Sequence, residues 1–172
     1  MYNQQEIDKI RYNSIPDQKL LIGSKWVKAK QGKIQNIISP INGEKISEIQ
    51  VSDEADVDEA VKSSKAIFEK GQWSNMPPAA KKKVMHKIAD LIEGSMLELA
   101  VLGVRDNGTE INMAYKAEPG SAAGTFRYYA EAIDKVYGEI SNTSNDFVGL
   151  IQREPVGVVG AIVPWNFPLM IG

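Results

Sequence analysis

The last seventeen residues of the chain read VGVVGAIVPWNFPLMIG and occupy positions 156–172. The first eight of them, 156–163, are apolar or glycine throughout, which is typical of a strand covered on both faces in a parallel sheet. Two prolines then bracket Trp165, Asn166 and Phe167. Because ligands of open α/β sheets bind beyond the carboxyl ends of strands, the pattern predicts a ligand-facing loop here.

Asn166 is the polar residue of that loop. Its side-chain amide can present a neutral N–H donor that does not titrate near pH 7, which suits it to stabilising a negatively charged oxygen during a reaction. A rigid turn in which Asn166 serves only as a cap is the alternative. The residues by themselves leave both interpretations open.

Upstream of this tail, the sequence changes from strand patterns to helix patterns. Residues 19–51 contain short apolar and β-branched runs separated by turn dipeptides, which predicts a small antiparallel layer. Apolar residues then recur at helical spacing and predict four helices: one ending near Gly71, one opening at Pro77-Pro78, one over 96–105, and one interrupted at Pro119-Gly120. Strands, helices and a final buried strand in this order predict an α/β domain.

Charge and cysteine content restrict the function classes. The 172 residues carry 20 basic and 22 acidic side chains, for a net charge of −2, so no broad positive field favours nucleic acid. The first residues are polar, and no run approaches the ~18 apolar residues of a membrane span. We therefore expect a cytoplasmic protein that binds neither nucleic acid nor membranes. The chain has no cysteine, which excludes disulfides and thiolate chemistry within it.

Three other patterns resemble sites but have simpler explanations. His86 is the only histidine and has no acidic or hydroxyl partner arranged in sequence, so a structural role is favoured. The acids crowded at 53–59 are explained by the helix dipole. Asp106-Asn107-Gly108 lacks the ligand spacing of a calcium loop and predicts a helix-ending turn instead.

Five blocks of sequence carry a family resemblance. They are ISPINGEKI (38–46), DVDEAVKSSKAIF (56–68), RDNG (105–108), TFRYYAEAIDKVYGEI (125–140) and REPVGVVGAIVPWNFPL (153–169). In this order they resemble the N-terminal part of the NAD(P)-dependent aldehyde dehydrogenase superfamily, and most closely its enzymes for amino-aldehydes or general aliphatic aldehydes. The resemblance implies part of a Rossmann-like cofactor domain with a small antiparallel N-terminal β layer, a helical block and a protruding oligomerisation hairpin.

The same resemblance implies a division of the chain. An N-terminal extension would cover 1–18, and the β layer and helices of the cofactor-binding domain would cover 19–137. The hairpin through which subunits pair would cover 138–155. The first strand and loop of an incomplete Rossmann-like sheet would cover 156–172. By the same resemblance, the full-length protein is expected to form a homo-oligomer, either a dimer or a tetramer.

The activity that the resemblance implies is oxidation of an aldehyde to a carboxylic acid with NAD+ or NADP+. In that family a cysteine thiolate attacks the aldehyde, the thiohemiacetal passes a hydride to the nicotinamide, and a glutamate activates the hydrolytic water. The cysteine and that glutamate would lie beyond Gly172, so the chain is expected to be an N-terminal fragment that is inactive alone. The alternative is a non-catalytic truncated subunit that acts as an oligomerisation or interaction module.

Individual site residues follow from the resemblance alone. Asn166 would be the catalytic oxyanion donor. The cofactor cleft would be lined by Ile162, Val163, Pro164, Trp165 and Asn166. The wall of the substrate tunnel would include Phe167, Met170 and Ile171. A structural monovalent cation would be held by Asp106 and the backbone of Ile38.

Overall fold

The computed structural model describes residues 2–172. Six α-helices occur in this range, and a 3-10 turn, Ile133–Lys135, follows the fifth. The helices are α1 (Gln4–Arg11), α2 (Glu54–Glu69), α3 (Pro78–Gly94), α4 (Met96–Asn107), α5 (Ile111–Ala132) and α6 (Pro168–Ile171). Within residues 2–172, no helix combines the length and apolar character needed to cross a membrane.

Side-chain caps set where the helices begin. Asp53 accepts a hydrogen bond from the Asp56 N–H at 3.0 Å and Asp56 accepts one from the Asp53 N–H at 3.2 Å, so the two acids form a capping box at the start of α2. Pro78 occupies the first turn of α3, where its missing N–H has no cost. The predicted end of α2 near Gly71 and the predicted start of α3 at Pro77-Pro78 are confirmed. The helix α1, which a second capping box between Asn3 and Glu6 begins, was not predicted.

Six short strands form three separate antiparallel pairs. They are β1 (Leu20–Ile22) with β2 (Lys25–Val27), β3 (Ile34–Ile38) with β4 (Lys45–Gln50), and β5 (Glu139–Ser141) with β6 (Gly149–Ile151). The predicted layer over 19–51 is therefore present as two hairpins rather than one sheet. Each hairpin is closed by its own turn, and Gly23 and Ser24 supply the positive φ angles that the first turn requires.

The core lies where α5 packs against α3 and α4. Its fully buried apolar side chains are small: Ala89, Ala100, Val101, Ala114, Ala122, Ala123 and Ala130. Because the distance between packed helices depends on the side chains at the contact, this alanine seam allows close approach of the three helices. The seam fixes α4 and α5 relative to each other.

One helix differs from the prediction at Pro119-Gly120. These two residues do not interrupt α5, which continues from Ile111–Ala132. Pro119 removes one helical hydrogen bond, at a cost of about 3 kcal/mol in a helix interior. Its side chain is fully buried, and this tertiary packing keeps the helix intact.

The segment 156–163 also differs from the prediction. It forms no strand within residues 2–172, and Val156 is 91% exposed while Ile162 is completely exposed. A strand is stabilised by ladder hydrogen bonds, and none of the strands in the described residues pairs with this segment to supply them. The buried strand is therefore absent from this structure, and the Rossmann-like sheet stays a prediction.

Candidate functional site

The loop 164–167 connects the exposed segment to α6, and two helices of the core hold it. α4 contacts it through Asn107, and α5 contacts the residues just after it through Glu118. The loop is therefore anchored although the segment before it is not. Both anchors lie far away in the sequence, 59 residues for Asn107 and 51 or 52 residues for Glu118.

Asn107 ends α4 and fixes the backbone of Asn166. Gly108 follows with a φ of 77°, in the left-handed region, and closes the helix as the sequence predicts. Asn107 Oδ1 accepts a hydrogen bond from the Thr109 N–H at 2.8 Å, and Asn107 Nδ2 donates to the carbonyl oxygen of Asn166 at 3.2 Å. Since the first bond holds the amide of Asn107 in place, the second determines where the Asn166 carbonyl lies.

Glu118 holds the first turn of α6. Its Oε2 accepts hydrogen bonds from the backbone N–H groups of Leu169 at 3.1 Å and Met170 at 3.0 Å. The first N–H groups of a helix have no partner within the helix, so the carboxylate satisfies two of them. Glu118 was not among the predicted site residues. Its signal is the four-residue spacing with Ala114 and Ala122, which places an acid on the buried stripe of α5.

The side chain of Asn166 is available to a ligand. Asn166 is exposed, and its side-chain amide makes no hydrogen bond to any of the described residues. Its backbone is held while its carboxamide is free. This combination differs from a capping Asn, whose side chain would be occupied by a neighbouring N–H.

The other predicted site residues fall into two groups. Trp165, in the loop, is 77% exposed, and Ile162, in the segment before the loop, is completely exposed. Phe167 and Met170 are half-buried, and Ile171 is 52% exposed. The second group lies at α6: Phe167 is its N-cap residue, and Met170 and Ile171 belong to its single turn. The three predicted substrate residues thus follow Asn166 closely in the chain, and their role stays a prediction.

A cavity of about 470 Å³ lies between α4, α5, α6 and the β3–β4 hairpin. Asp106 and Glu118 contribute carboxylates to its lining, which is otherwise mostly apolar. Asp106, the predicted cation ligand, lines this cavity through α4, whereas Ile38 does not. The part of the chain that the structure describes contains no group of three acidic or histidine side chains able to hold a metal. The monovalent-cation site stays a prediction.

A polar network joins α3 to the end of α5. His86 Nε2 lies 2.8 Å from Glu131 Oε1, and Lys82 Nζ lies 2.8 Å from Asp134 Oδ2. The hydrogen bonds from His86 and then Lys82 hold the pKa of Glu131 below its ordinary value. Those from Lys82 and then Lys135 lower the pKa of Asp134 to about 2. His86 therefore has an acidic partner that the sequence did not reveal, and its role in this network is structural.

Comparison with known protein sequences gives consistent matches. The sequence model described as "Aldehyde dehydrogenase family" matches residues 26–172. NADP/NAD-dependent aldehyde dehydrogenase PuuC of Escherichia coli (strain K12) is 39% identical over 155 residues, which are 90% of this chain and 31% of that protein. Aldehyde dehydrogenase family 2 member C4 of Arabidopsis thaliana is 41% identical over 151 residues, 87% of this chain and 30% of that protein. The chain thus spans about a third of the length of the curated relatives that it matches.

Comparison with solved structures agrees. A mutant of P. syringae AldA indole-3-acetaldehyde dehydrogenase in complex with NAD+ and IAA matches with a TM-score of 0.94 and 36% identity, over 99% of this chain and 34% of that one. The aldehyde dehydrogenase KauB from Pseudomonas aeruginosa matches with a TM-score of 0.94 and 35% identity, over the same shares. The predicted similarity to the N-terminal part of this fold is confirmed.

Proposed function

Because this chain belongs to the aldehyde dehydrogenase family, we propose that it supplies the N-terminal part of an enzyme that oxidises an aldehyde to a carboxylic acid with NAD+ or NADP+. Residues 1–172 would form the β layer, the helical core and the oxyanion loop. The nucleophilic cysteine and the glutamate that activates water would come from chain beyond these residues, since the 172 residues contain no cysteine.

The observation that carries this proposal is the free side-chain amide of Asn166 on a held backbone. Attack on an aldehyde turns its carbonyl oxygen into an oxyanion, and a fixed N–H donor stabilises that charge as it develops. A carboxamide remains neutral and protonated on nitrogen at all working pH values, so the donor is always present. Losing such a donor typically lowers kcat by about 10²- to 10³-fold.

The end of the exposed segment and the start of the loop would together form a cofactor cleft. Ile162 and Trp165 are exposed, and residues 154–165 make no backbone hydrogen bond to other parts of the described chain, so their N–H and C=O groups are free for a ligand. Ile162, Val163, Pro164, Trp165 and Asn166 would line the cleft. A bound nicotinamide would supply the hydride acceptor. The E. coli relative is named as NADP/NAD-dependent, and the P. syringae structure holds NAD+, which supports this choice of cofactor.

The turn that opens α6 would form one wall of the substrate tunnel. Phe167, Met170 and Ile171 would contribute its apolar side chains, which suit the carbon chain of an aliphatic or amino-aldehyde. Asp106 and the Ile38 carbonyl would hold a structural monovalent cation. Both assignments rest on the family resemblance, and Asp106 lines the same cavity as the first residues of α6.

The β5–β6 hairpin would pair subunits in a homo-oligomer. Ile140 and Leu150 are opposite each other in the antiparallel register, and they are 76% and 75% exposed. Apolar side chains so placed can be covered by a second copy of the chain. This observation also favours the second candidate function, a non-catalytic subunit that joins intact relatives through 138–155.

A chimaera tests the catalytic proposal. Residues 1–172 are fused to the part of the E. coli relative that follows its matched region, and reduction of NAD+ or NADP+ is followed with short aldehydes. The chimaera should turn over, and Asn166→Ala should lower its kcat by about 10²- to 10³-fold. Asn36→Ala, which changes an exposed residue of β3, is the control. The 172-residue chain alone should show no turnover.

The opposite results would reject the proposal. Turnover by the chain alone would show that cysteine chemistry is not required. An active chimaera that tolerates Asn166→Ala would remove the oxyanion role. An inactive chimaera, together with co-purification of the chain with an intact relative, would favour the non-catalytic subunit.

A further inference from the structure

Glu118 is a buried acid with an incomplete set of hydrogen bonds. Only 7% of its surface is exposed. Its Oε2 accepts the N–H groups of Leu169 and Met170, but its Oε1 is buried without any hydrogen-bond partner among the described residues. A buried polar atom without a partner destabilises the folded chain.

Stability alone does not explain an acid at this position. Glu118 lies one helical turn from Ala114 and from Ala122, both buried, and an apolar residue would continue that stripe with no unsatisfied oxygen. What the carboxylate adds is a pair of charge-assisted hydrogen bonds to backbone that is distant in sequence. These bonds fix the first turn of α6 at Leu169 and Met170, which come three and four residues after Asn166.

Asn107 and Glu118 hold the backbone on both sides of the Asn166 side chain. Asn107 holds the carbonyl of Asn166 from one side of the loop, and Glu118 holds Leu169 and Met170 from the other. With the backbone fixed on both sides, few conformations of residues 166–168 remain. A donor must lie within a few tenths of an ångström of its working position to stabilise an oxyanion well.

We propose that Glu118 is a positioning residue, whose carboxylate holds the first turn of α6 so that the Asn166 amide is directed at the reacting oxygen. The inference rests on the proposed function only for the role of Asn166. The mechanical part of the inference, that Glu118 orders residues 166–170, does not depend on any enzymatic activity.

The mechanical part is tested on the 172-residue chain by amide hydrogen exchange at Leu169 and Met170. Glu118→Ala removes the oxygen that accepts both hydrogen bonds and should raise exchange at these two amides at least tenfold more than elsewhere in the chain. Glu118→Gln keeps one acceptor oxygen and should retain most of the protection. Lys116→Gly, at an exposed position of α5, weakens the same helix by up to about 1 kcal/mol without changing the buried seam or the loop, and it controls for a general loss of stability.

Two outcomes would overturn the mechanical part. One is that both amides exchange freely in the unmodified chain. The other is that Glu118→Ala raises their exchange no more than Lys116→Gly does. If Glu118→Ala fails to fold, a Glu118→Gln chain whose two amides exchange as slowly as other core amides supports the inference, and one that loses all protection overturns it.

The catalytic part is tested in the chimaera. Glu118→Ala should lower kcat about 10- to 100-fold while the KM for the aldehyde changes less than about threefold, because the lost interaction acts in the transition state. Combined with Asn166→Ala, it should cause no further loss, since residues that act through one another are not additive. Additive losses would overturn the positioning role. An unmodified chimaera without activity would reject the proposed function, whereas the exchange result would still decide what Glu118 does.

Discussion

The alanine seam between α3, α4 and α5 and the segment 156–163 are both apolar in sequence, but their surroundings are opposite. Ala89 and Ala130 have no exposed surface, while Val156 is 91% exposed. A helix makes its own backbone hydrogen bonds and needs a neighbour only for its side chains. A strand needs a neighbour for its backbone as well. An apolar strand pattern therefore indicates that a partner is required, and it does not show that the partner is present.

The sharpest test of this contrast makes the same change, alanine to leucine, once in each region. Ala89→Leu forces a larger side chain into the seam and should lower the free energy of unfolding by about 1–3 kcal/mol. Ala161→Leu, in the exposed segment, should change it by less than about 0.5 kcal/mol. Urea denaturation of the two variants measures the difference. Equal losses would show that the segment is packed in solution and would break the contrast.

A pair of glycine substitutions gives the next largest effect. Gly108→Ala places a Cβ on a left-handed residue, 3.3 Å from Pro40 Cγ, and should cost about 1–2 kcal/mol. Gly160→Ala meets open space and should leave stability unchanged or slightly raised. Thermal denaturation compares them. A Gly160→Ala variant as unstable as Gly108→Ala would show that the exposed segment has a fixed conformation.

Acid should affect the helical region and leave the segment 156–163 unchanged, since the segment has no titratable side chain. Lys82 and then Lys135 lower the pKa of Asp134 from 3.8 to about 2. The ionised form is therefore favoured by folding, and this stabilisation is present above about pH 4 and is lost as the pH falls towards 2.

Asp134→Asn measures this small contribution. In urea denaturation at pH 6, the free energy of unfolding of the unmodified chain should be larger than that of the variant. The difference between them should disappear near pH 2. A constant difference over this range would show that Asp134 stabilises the chain by packing and not by charge.

The smallest change in stability is expected for Val156→Ser combined with Ile162→Ser. Both residues are already in water, so the free energy of unfolding should not change measurably. Removing exposed apolar surface should, however, reduce self-association in light scattering. Val101→Ser, at a buried position of α4, is the matched control and should destabilise the chain. Unchanged self-association of the double variant would mean that the exposed side chains of this segment do not cause it.

Local features of the fold could be predicted from the sequence. The acids at Asp53 and Asp56 mark the start of α2, Pro78 marks that of α3, and Gly108 marks the end of α4, because each of these signals acts within one helical turn. The turn at Gly23-Ser24 belongs to the same class. The family resemblance, carried by longer motifs, supplied the rest of the confirmed fold class.

Features that depend on distant contacts could not be predicted. Pro119 normally predicts a break, and only the packing of α5 against two other helices reverses that expectation. Glu118 meets its partners 51 and 52 residues away, so no local pattern indicates them. The strand predicted over 156–163 is the reverse case. Its local pattern is clear, but no strand in the described residues pairs with it.

The alanine seam also has a consequence for how precisely the loop can be held. Asn107 and Glu118 lie on two helices that pack against each other, and the buried side chains of both helices include alanines. Alanine has no side-chain rotamers, so the packing at these positions cannot adjust by a change of rotamer. We therefore expect variants that enlarge or remove a buried alanine methyl group to displace the two tethers, and with them the backbone of Asn166, before they unfold the chain.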